Sequence, residues 1–201
     1  MIRVLLAEDQ AMVRGALASL LNLESDIEVV AQVSRGDEVV AAAAAAVPDV
    51  ALLDIEMPGC SGLDAADSLG RALPECRILI LTTFGRPGYL RRAMEGGAAG
   101  FLLKDAPASE LASAIRRAMA GERVVDPGLA AAALSAGESP LTPREHEVLV
   151  ASRSHATVAD LAQALFLSPG TVRNHLSSAM QKLDARNRAE ALRIAEEKGW
   201  L

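Results

Sequence analysis

The chain has 201 residues, 51% of them apolar, with 20 Lys and Arg against 26 Asp and Glu for a net charge of −6, enough for one large folded domain or two small ones. No apolar run approaches the roughly 20 residues of a membrane span; the N-terminus has one Arg, a short apolar run and then two acids rather than a signal-peptide pattern; and Cys60 and Cys76 form no C-x-x-C pair. These features point to a cytoplasmic protein with no membrane insertion, structural zinc or disulfide framework.

Short apolar runs alternate with helix-period segments through about residue 120. Strands are expected at Ile2–Ala7, Ile27–Val33, Val50–Asp54, Ile78–Thr82 and Gly100–Leu103, with helices near 11–22, 36–46, 61–73, 87–96 and 107–119. The Ala41–Ala46 run suits the second helix because Ala has the highest helix propensity. Strands alternating with helices imply β-α-β crossovers and a parallel sheet covered by helices on both faces. Asp126-Pro127-Gly128 and the stretch Ser135–Pro140 then read as turn and linker. From Leu141 onward no strand signal appears. Four short helices are expected, opened by Thr142-Pro143 with Glu145, by Thr157 with Asp160, by Ser168-Pro169, and near Arg188. The reading is therefore two modules, 1–121 and 140–201, joined by a linker at 122–139. Charge divides the same way: residues 1–137 hold 12 basic and 18 acidic side chains, whereas 138–201 hold 8 of each with all three His and the single Trp.

In a parallel sheet, ligands gather beyond the carboxyl ends of the strands. There the first module presents Glu8-Asp9 after strand one, Asp54 at the end of strand three, Thr82 at the end of strand four and Lys104 after strand five. Three carboxylates on one rim repel unless a cation sits among them, and a hard oxygen-seeking ion such as Mg²⁺ suits them. Lys104 can neutralise a phosphoryl oxygen and Thr82 can donate to one, which leaves Asp54 as the nucleophile that forms an acyl phosphate. An acid at one strand end is ordinarily just solvated. The succession across four strand ends gives the pattern its meaning.

These residues, with the run Asp54-Ile-Glu-Met-Pro-Gly-Cys-Ser-Gly62, resemble the receiver domain of bacterial two-component response regulators. The segment Leu141-Thr-Pro-Arg-Glu-x-Glu-Val-Leu149, followed by Leu167-Ser-Pro-Gly-Thr-Val-Arg-Asn-His-Leu176, resembles the LuxR-type helix-turn-helix. In this order the two match the NarL/FixJ family, and the ending from Ala185 to Leu201 resembles its DesR-like branch. The resemblance implies a (βα)5 flavodoxin-like receiver with strand order 2-1-3-4-5, followed by a four-helix DNA-binding domain. It also implies Asp54 as phosphoacceptor, with Glu8, Asp9, Asp54 and the backbone carbonyl of Glu56 as Mg²⁺ ligands. Lys104 would contact the phosphoryl group, Thr82 would be the switch hydroxyl, and Phe101 would be the switch aromatic that turns inward on phosphorylation. The implied partners are a sensor histidine kinase, double-stranded promoter DNA and a second copy of the chain.

In the third helix of the second module, Val172, Leu176, Met180 and Leu183 recur at helical spacing and should face the core. Thr171, Arg173, Asn174, Ser177 and Lys182 should then face outward, where Arg suits guanine, Asn suits adenine, and Ser, Thr and Lys suit phosphates. Residues 168–193 hold five basic side chains and two acids, concentrating positive charge in the region where the DNA-reading helix would lie. His155-Ala156 replaces the Gly and Leu usual in the family, which would strain the turn if it required a positive φ. His175 reads as a phosphate contact or packed polar residue, and the cysteines as small buried apolar groups.

Three other readings compete, the first a pure protein-interaction adaptor, which the basic third helix disfavours. A phosphohydrolase could use Asp54 and Glu56 beside Mg²⁺, but a module of about 120 residues has no length for the cap and substrate pocket such an enzyme needs. An orphan regulator would bind DNA independently of Asp54, which the complete acidic pocket argues against.

Overall fold

The computed structural model describes residues 1–83, 85, 87–105, 107–135, 137, 139–198 and 200–201. Strands and helices alternate from the N-terminus: β1 (Ile2–Ala7), α1 (Ala11–Leu21), β2 (Ile27–Val33), α2 (Val39–Ala46), β3 (Val50–Asp54), α3 (Gly62–Ala72), β4 (Arg77–Thr82), α4 (Pro87–Glu95), β5 (Gly100–Leu103) and α5 (Ala108–Met119). They are followed by β6 (Val124–Val125) and α6 (Pro127–Ser135). All six strands pair in parallel, in the order β2-β1-β3-β4-β5-β6. The chain divides into two units, one of Met1–Gly85 and Tyr89–Ala130, the other mainly of Ala131–Leu201.

Burial explains why the central strands read as unbroken apolar runs. Every residue of β3 is buried, as is every residue of β4 after Arg77, because helices cover both faces of the sheet. On one face Val4, Leu6, Leu52 and Leu79 pack against Leu21 of α1 and Ile115 of α5. Each such side chain, removed from water, contributes about 1.5–3 kcal/mol before entropy is counted. The second helix starts later than its sequence suggests. A single 3-10 turn at Gly36–Glu38 precedes the regular helix.

The sheet has one strand more than the five expected. Val124 and Val125 pair with Gly100 and Phe101, and a Cβ on Gly100 would lie 2.6 Å from the Val124 carbonyl oxygen. Two residues are too few to show strand periodicity, so the sequence pattern could not reveal them. Asp126-Pro127-Gly128, read as a turn, opens a helix instead: the Asp126 carboxylate accepts from the Leu129 N–H at 2.9 Å and Pro127 takes the first helical position. The stretch 122–139 thus holds β6 and α6.

The second unit contains α7 (Pro143–Ala151), α8 (Val158–Ala164), α9 (Pro169–Lys182) and α10 (Arg188–Lys198). Both expected capping boxes form, Thr142 with Glu145 and Thr157 with Asp160, and Ser168 caps α9 by accepting from Thr171 N. Val148, Leu149, Leu161, Val172, Ala191 and Ala195 are the centre of its core.

Helices α8 and α9 both end where the sequence offers no glycine. Leu167 N bonds to Ala162 O and Ala185 N to Met180 O, each at 2.9 Å, and the intervening Phe166 and Asp184 take φ of 55° and 51°. This is the Schellman closure, which favours Gly at the left-handed position. Phe166 bears the Cβ penalty there and is also 95% exposed. Phe166→Gly should therefore raise the stability of the second unit by roughly 0.5–1 kcal/mol, measured by denaturation followed through the single Trp, Trp200. A lower midpoint would show that the ring makes a stabilising contact.

Candidate functional site

The strand register brings the chemical residues of the first unit to one edge. Ala7 lies beside Leu53, Asp54 beside Leu81, and Thr82 beside Leu103, so the residues at or just after these four strand ends share the carboxyl edge of the sheet. The edge straddles the point where β1 leads one way to β2 and the other way to β3, the usual ligand crevice of such sheets. Glu8, Asp9 and Asp54 offer carboxylate oxygens that all lie within 4.8 Å of one another. Glu8 is 1% exposed and Asp54 5%, whereas Asp9 is open to solvent. Lys104 Nζ lies 2.6 Å from Glu8 Oε2 and 3.1 Å from Asp54 Oδ2.

Two loops hold Asp54 in place. After β3 the chain folds back so closely that a Cβ on Gly62 would lie 1.8 Å from the Asp54 carbonyl oxygen, and Gly62 N bonds to Ile55 O at 2.9 Å. Only glycine tolerates that approach. Gly59 turns the same loop at φ 86°, and Pro58 O accepts from Gly36 N at 3.0 Å, which ties the loop to the segment after β2. Glu56 is exposed on this loop and Thr82 is buried at 1% exposure, with Lys104 N donating to Thr82 O at 2.9 Å. Phe101 is fully buried. Its ring is packed inside in this conformation, the inward position that the resemblance assigns to the phosphorylated state.

Burial pushes the Glu8 carboxyl above its usual range, and the neighbouring Lys104 ammonium reverses this only in part. Burial also works against the Lys104 charge, yet the paired Glu8 and Asp54 carboxylates outweigh it and raise the ammonium pKa. Three carboxylates against one ammonium leave an excess of negative charge. Glu8 Oε2 is buried and makes no aligned hydrogen bond; the Lys104 ammonium meets it as an ion pair. An all-oxygen, net-negative donor set with one carboxylate open to solvent fits a small hard divalent cation.

In the second unit, α9 buries Val172, Leu176, Ala179 and Leu183, with Met180 packed half-buried beside them. Arg173, Asn174, Ser177 and Lys182 are exposed, and Thr171 is half-buried with its hydroxyl 2.8 Å from that of Ser168. Arg173 makes no ion pair among the described residues. Lys182 is engaged within the protein: its Nζ lies 2.7 Å from Glu145 Oε2, and Ser178 donates to Glu145 Oε1 at 2.7 Å. Arg188, counted by sequence with the positive charge of the reading helix, donates to the carbonyls of His155 and Ala156 at 3.1 and 2.9 Å. His155 has no positive φ, so the His155-Ala156 replacement does not strain its turn in the way its sequence suggests.

Glu145 is the residue that sequence reading undervalued. Its place three residues after Thr142 marked it as a capping acid, but a partner 37 residues away leaves no local signal. Burial alone would raise its pKa; hydrogen bonds from Lys182, Ser178 and the Thr142 backbone overcome this and hold the carboxyl at about 2.

The amino-acid comparisons agree with this geometry. Residues 4–116 match the response regulator receiver domain, and residues 139–195 match the luxR family of bacterial regulatory proteins. Among relatives of Bacillus subtilis strain 168, the transcriptional regulatory protein DesR is 48% identical over 200 residues, covering 100% of this chain and 99% of its own. The uncharacterised transcriptional regulatory protein YvfU is 48% identical over 201 residues, with both chains fully covered. The crystal structure of the response regulator ChrA of a heme-sensing two-component system is 36% identical, with a TM-score of 0.58 over 100% of this chain and 98% of that one. A receiver domain followed by a LuxR-type DNA-binding domain defines a transcription regulator rather than an enzyme. The chain belongs to the NarL/LuxR family of two-component response regulators. No helix among the described residues is long and apolar enough to cross a membrane.

The Glu145 carboxyl, held at about 2 against an ordinary value of 4.5, contributes stability that is present above pH 4.5 and lost as pH falls toward 2. Wild type followed by Trp200 fluorescence should lose stability over that window, and Glu145→Gln should lack this part of the loss. At pH 7 the same substitution should cost roughly 2 kcal/mol. Superimposable acid profiles for the two proteins would contradict the assignment.

Proposed function

We propose that this chain is switched by phosphorylation of Asp54 by a sensor histidine kinase, and that the switch controls dimerisation and binding to promoter DNA. The observation that carries the reading is the corner itself: a buried aspartate, two further carboxylates and a lysine ammonium at the carboxyl edge of a parallel sheet. Glu8, Asp9, Asp54 and the backbone carbonyl of Glu56 would hold Mg²⁺. When bound, Mg²⁺ neutralises the clustered carboxylates and charge on the incoming phosphoryl oxygens. An Asp54 carboxylate oxygen attacks phosphorus, the phosphorus–nitrogen bond to the kinase imidazole breaks, and the imidazole leaves with its electron pair. Lys104 turns its ammonium from the carboxylates toward a phosphoryl oxygen, and the Thr82 hydroxyl donates to another.

The acyl phosphate adds charge and three acceptor oxygens beside Thr82 and Lys104. Drawing both residues toward it shifts β4, β5 and the segments after them between two arrangements. Phe101, packed inside in this conformation, would be the aromatic whose inward position accompanies the switch. In the second unit, Arg173 and Asn174 would read base edges in the major groove, with Thr171 and Ser177 at the backbone. Lys182 has a different role, buttressing α9 against α7 through Glu145. A two-fold dimer would engage two half-sites and multiply a weak single-site affinity.

With a small-molecule phosphodonor and Mg²⁺, intact-mass analysis should show one phosphoryl group on wild type and none on Asp54→Asn. A phosphorylated Asp54→Asn protein would refute the assignment of the acceptor. Arg173→Ala should lower affinity for duplex DNA by about tenfold or more, read by fluorescence anisotropy at fixed salt, and unchanged affinity would remove Arg173 from the interface.

A further inference from the structure

Arg14 stands on the first turn of α1, where its charge opposes the helix dipole and would oppose a bound cation. The N-terminus of a helix carries the positive end of the helix dipole, and Gln10, at the start of α1, makes no side-chain capping bond while the first turn holds no acid. The helix start follows directly on Glu8 and Asp9 of the net-negative corner, and a cation bound among those carboxylates would be repelled by a guanidinium nearby. Yet the half-buried guanidinium is anchored: Nη1 donates to Glu8 O at 2.6 Å and lies 3.5 Å from Asp9 O. These are the backbone carbonyls of the two residues that bring carboxylates to the site from β1.

The connection between β1 and α1 has few other ties. Glu8 N bonds to Val33 O at 3.1 Å, and Glu8 Oε1 accepts from Gln10 N at 3.2 Å. Asp9, open to solvent, must present its carboxylate from a three-residue connection between β1 and α1. A carbonyl pair held by one guanidinium fixes both residues in that connection, so that Glu8 and Asp9 face Asp54 together.

We propose that Arg14 is a positioning residue for the cation site: by holding the Glu8 and Asp9 carbonyls it sets the two carboxylates against Asp54 and raises the affinity for Mg²⁺. The inference rests on the reading of the corner as a Mg²⁺ site. It makes a prediction of opposite sign to the charge effect. Removing a positive charge near a cation site should tighten cation binding, whereas removing an orienting partner of the ligands weakens it, typically by 10-fold or more.

The test is Mg²⁺ titration of the full chain by calorimetry for wild type, Arg14→Met, Arg14→Lys and Leu21→Val, with melting measured in the absence of Mg²⁺. Leu21→Val loosens α1 through its core contact without touching the corner. Arg14→Met should bind Mg²⁺ about tenfold more weakly than wild type, while Arg14→Lys, able to reach a carbonyl with its ammonium, should recover part of the loss. Leu21→Val should bind as wild type does. Equal or tighter binding by Arg14→Met would overturn the proposal, as would a loss matched by Leu21→Val. If Arg14→Met does not fold, Arg14→Lys decides: binding between wild type and one-tenth of it supports the proposal, and wild-type or tighter affinity overturns it. Failure of wild type itself to bind Mg²⁺ would instead remove the reading of the site on which the inference rests.

Discussion

Repulsion among Glu8, Asp9 and Asp54 is the constraint around which the first unit is arranged. Two of these carboxylates are buried at a sheet edge, and a buried charge is tolerated only when it is paired. Lys104 supplies one ammonium, bridging Glu8 and Asp54 at 2.6 and 3.1 Å. That leaves the corner with excess negative charge and one lysine committed to two partners. Such a corner is poised: a cation relieves the repulsion, and a phosphoryl group offers Lys104 a stronger partner. On the proposed function, the imbalance that would load the site is the same one that would make its occupancy felt elsewhere.

Rigidity around the corner is what makes the imbalance usable. The Gly62 contact with the Asp54 carbonyl, the Gly36–Pro58 bond and the packed β3 strand keep Asp54 from relaxing away from its neighbours. A flexible loop would dissipate the strain of clustered charge by moving. A strand end inside a close-packed sheet holds it, because packed interiors shift between discrete arrangements rather than deforming smoothly. In the second unit the Glu145 cluster plays the corresponding structural part. It joins the N-terminus of α7 to α9 through Ser178 and Lys182, so the helix carrying Arg173 and Asn174 is held by a charged anchor as well as by its apolar face.

Much of this was legible in the sequence because it depends on local pattern. The five longer strands, the capping boxes and the α9 core face all follow from periodicities of two or 3.6 residues and from residue types with one dominant local role. The acidic corner was legible for another reason: in a parallel sheet all strands run the same way, so residues at their carboxyl ends share one edge. What escaped was either too short or non-local. β6 has two residues, and the Asp-Pro-Gly signal that precedes α6 describes a turn and a helix start equally well. The pairing of Lys182 with Glu145, and of Arg188 with the carbonyls at 155–156, joins positions more than 30 residues apart. From sequence, those cations could only be added to the charge of the region expected to read DNA. Arg14 was overlooked because an arginine that binds backbone carbonyls leaves no complementary acid to find.

The central claim is that occupancy of the Asp54 corner is transmitted to assembly of the whole chain. The most direct measurement is sedimentation velocity of wild type and Asp54→Ala in Mg²⁺, each with and without beryllofluoride as a phosphoryl mimic. The account predicts a shift from monomer to dimer in wild type with beryllofluoride and in none of the other three samples. The same sedimentation coefficient in all four would contradict it and leave DNA binding independent of phosphate.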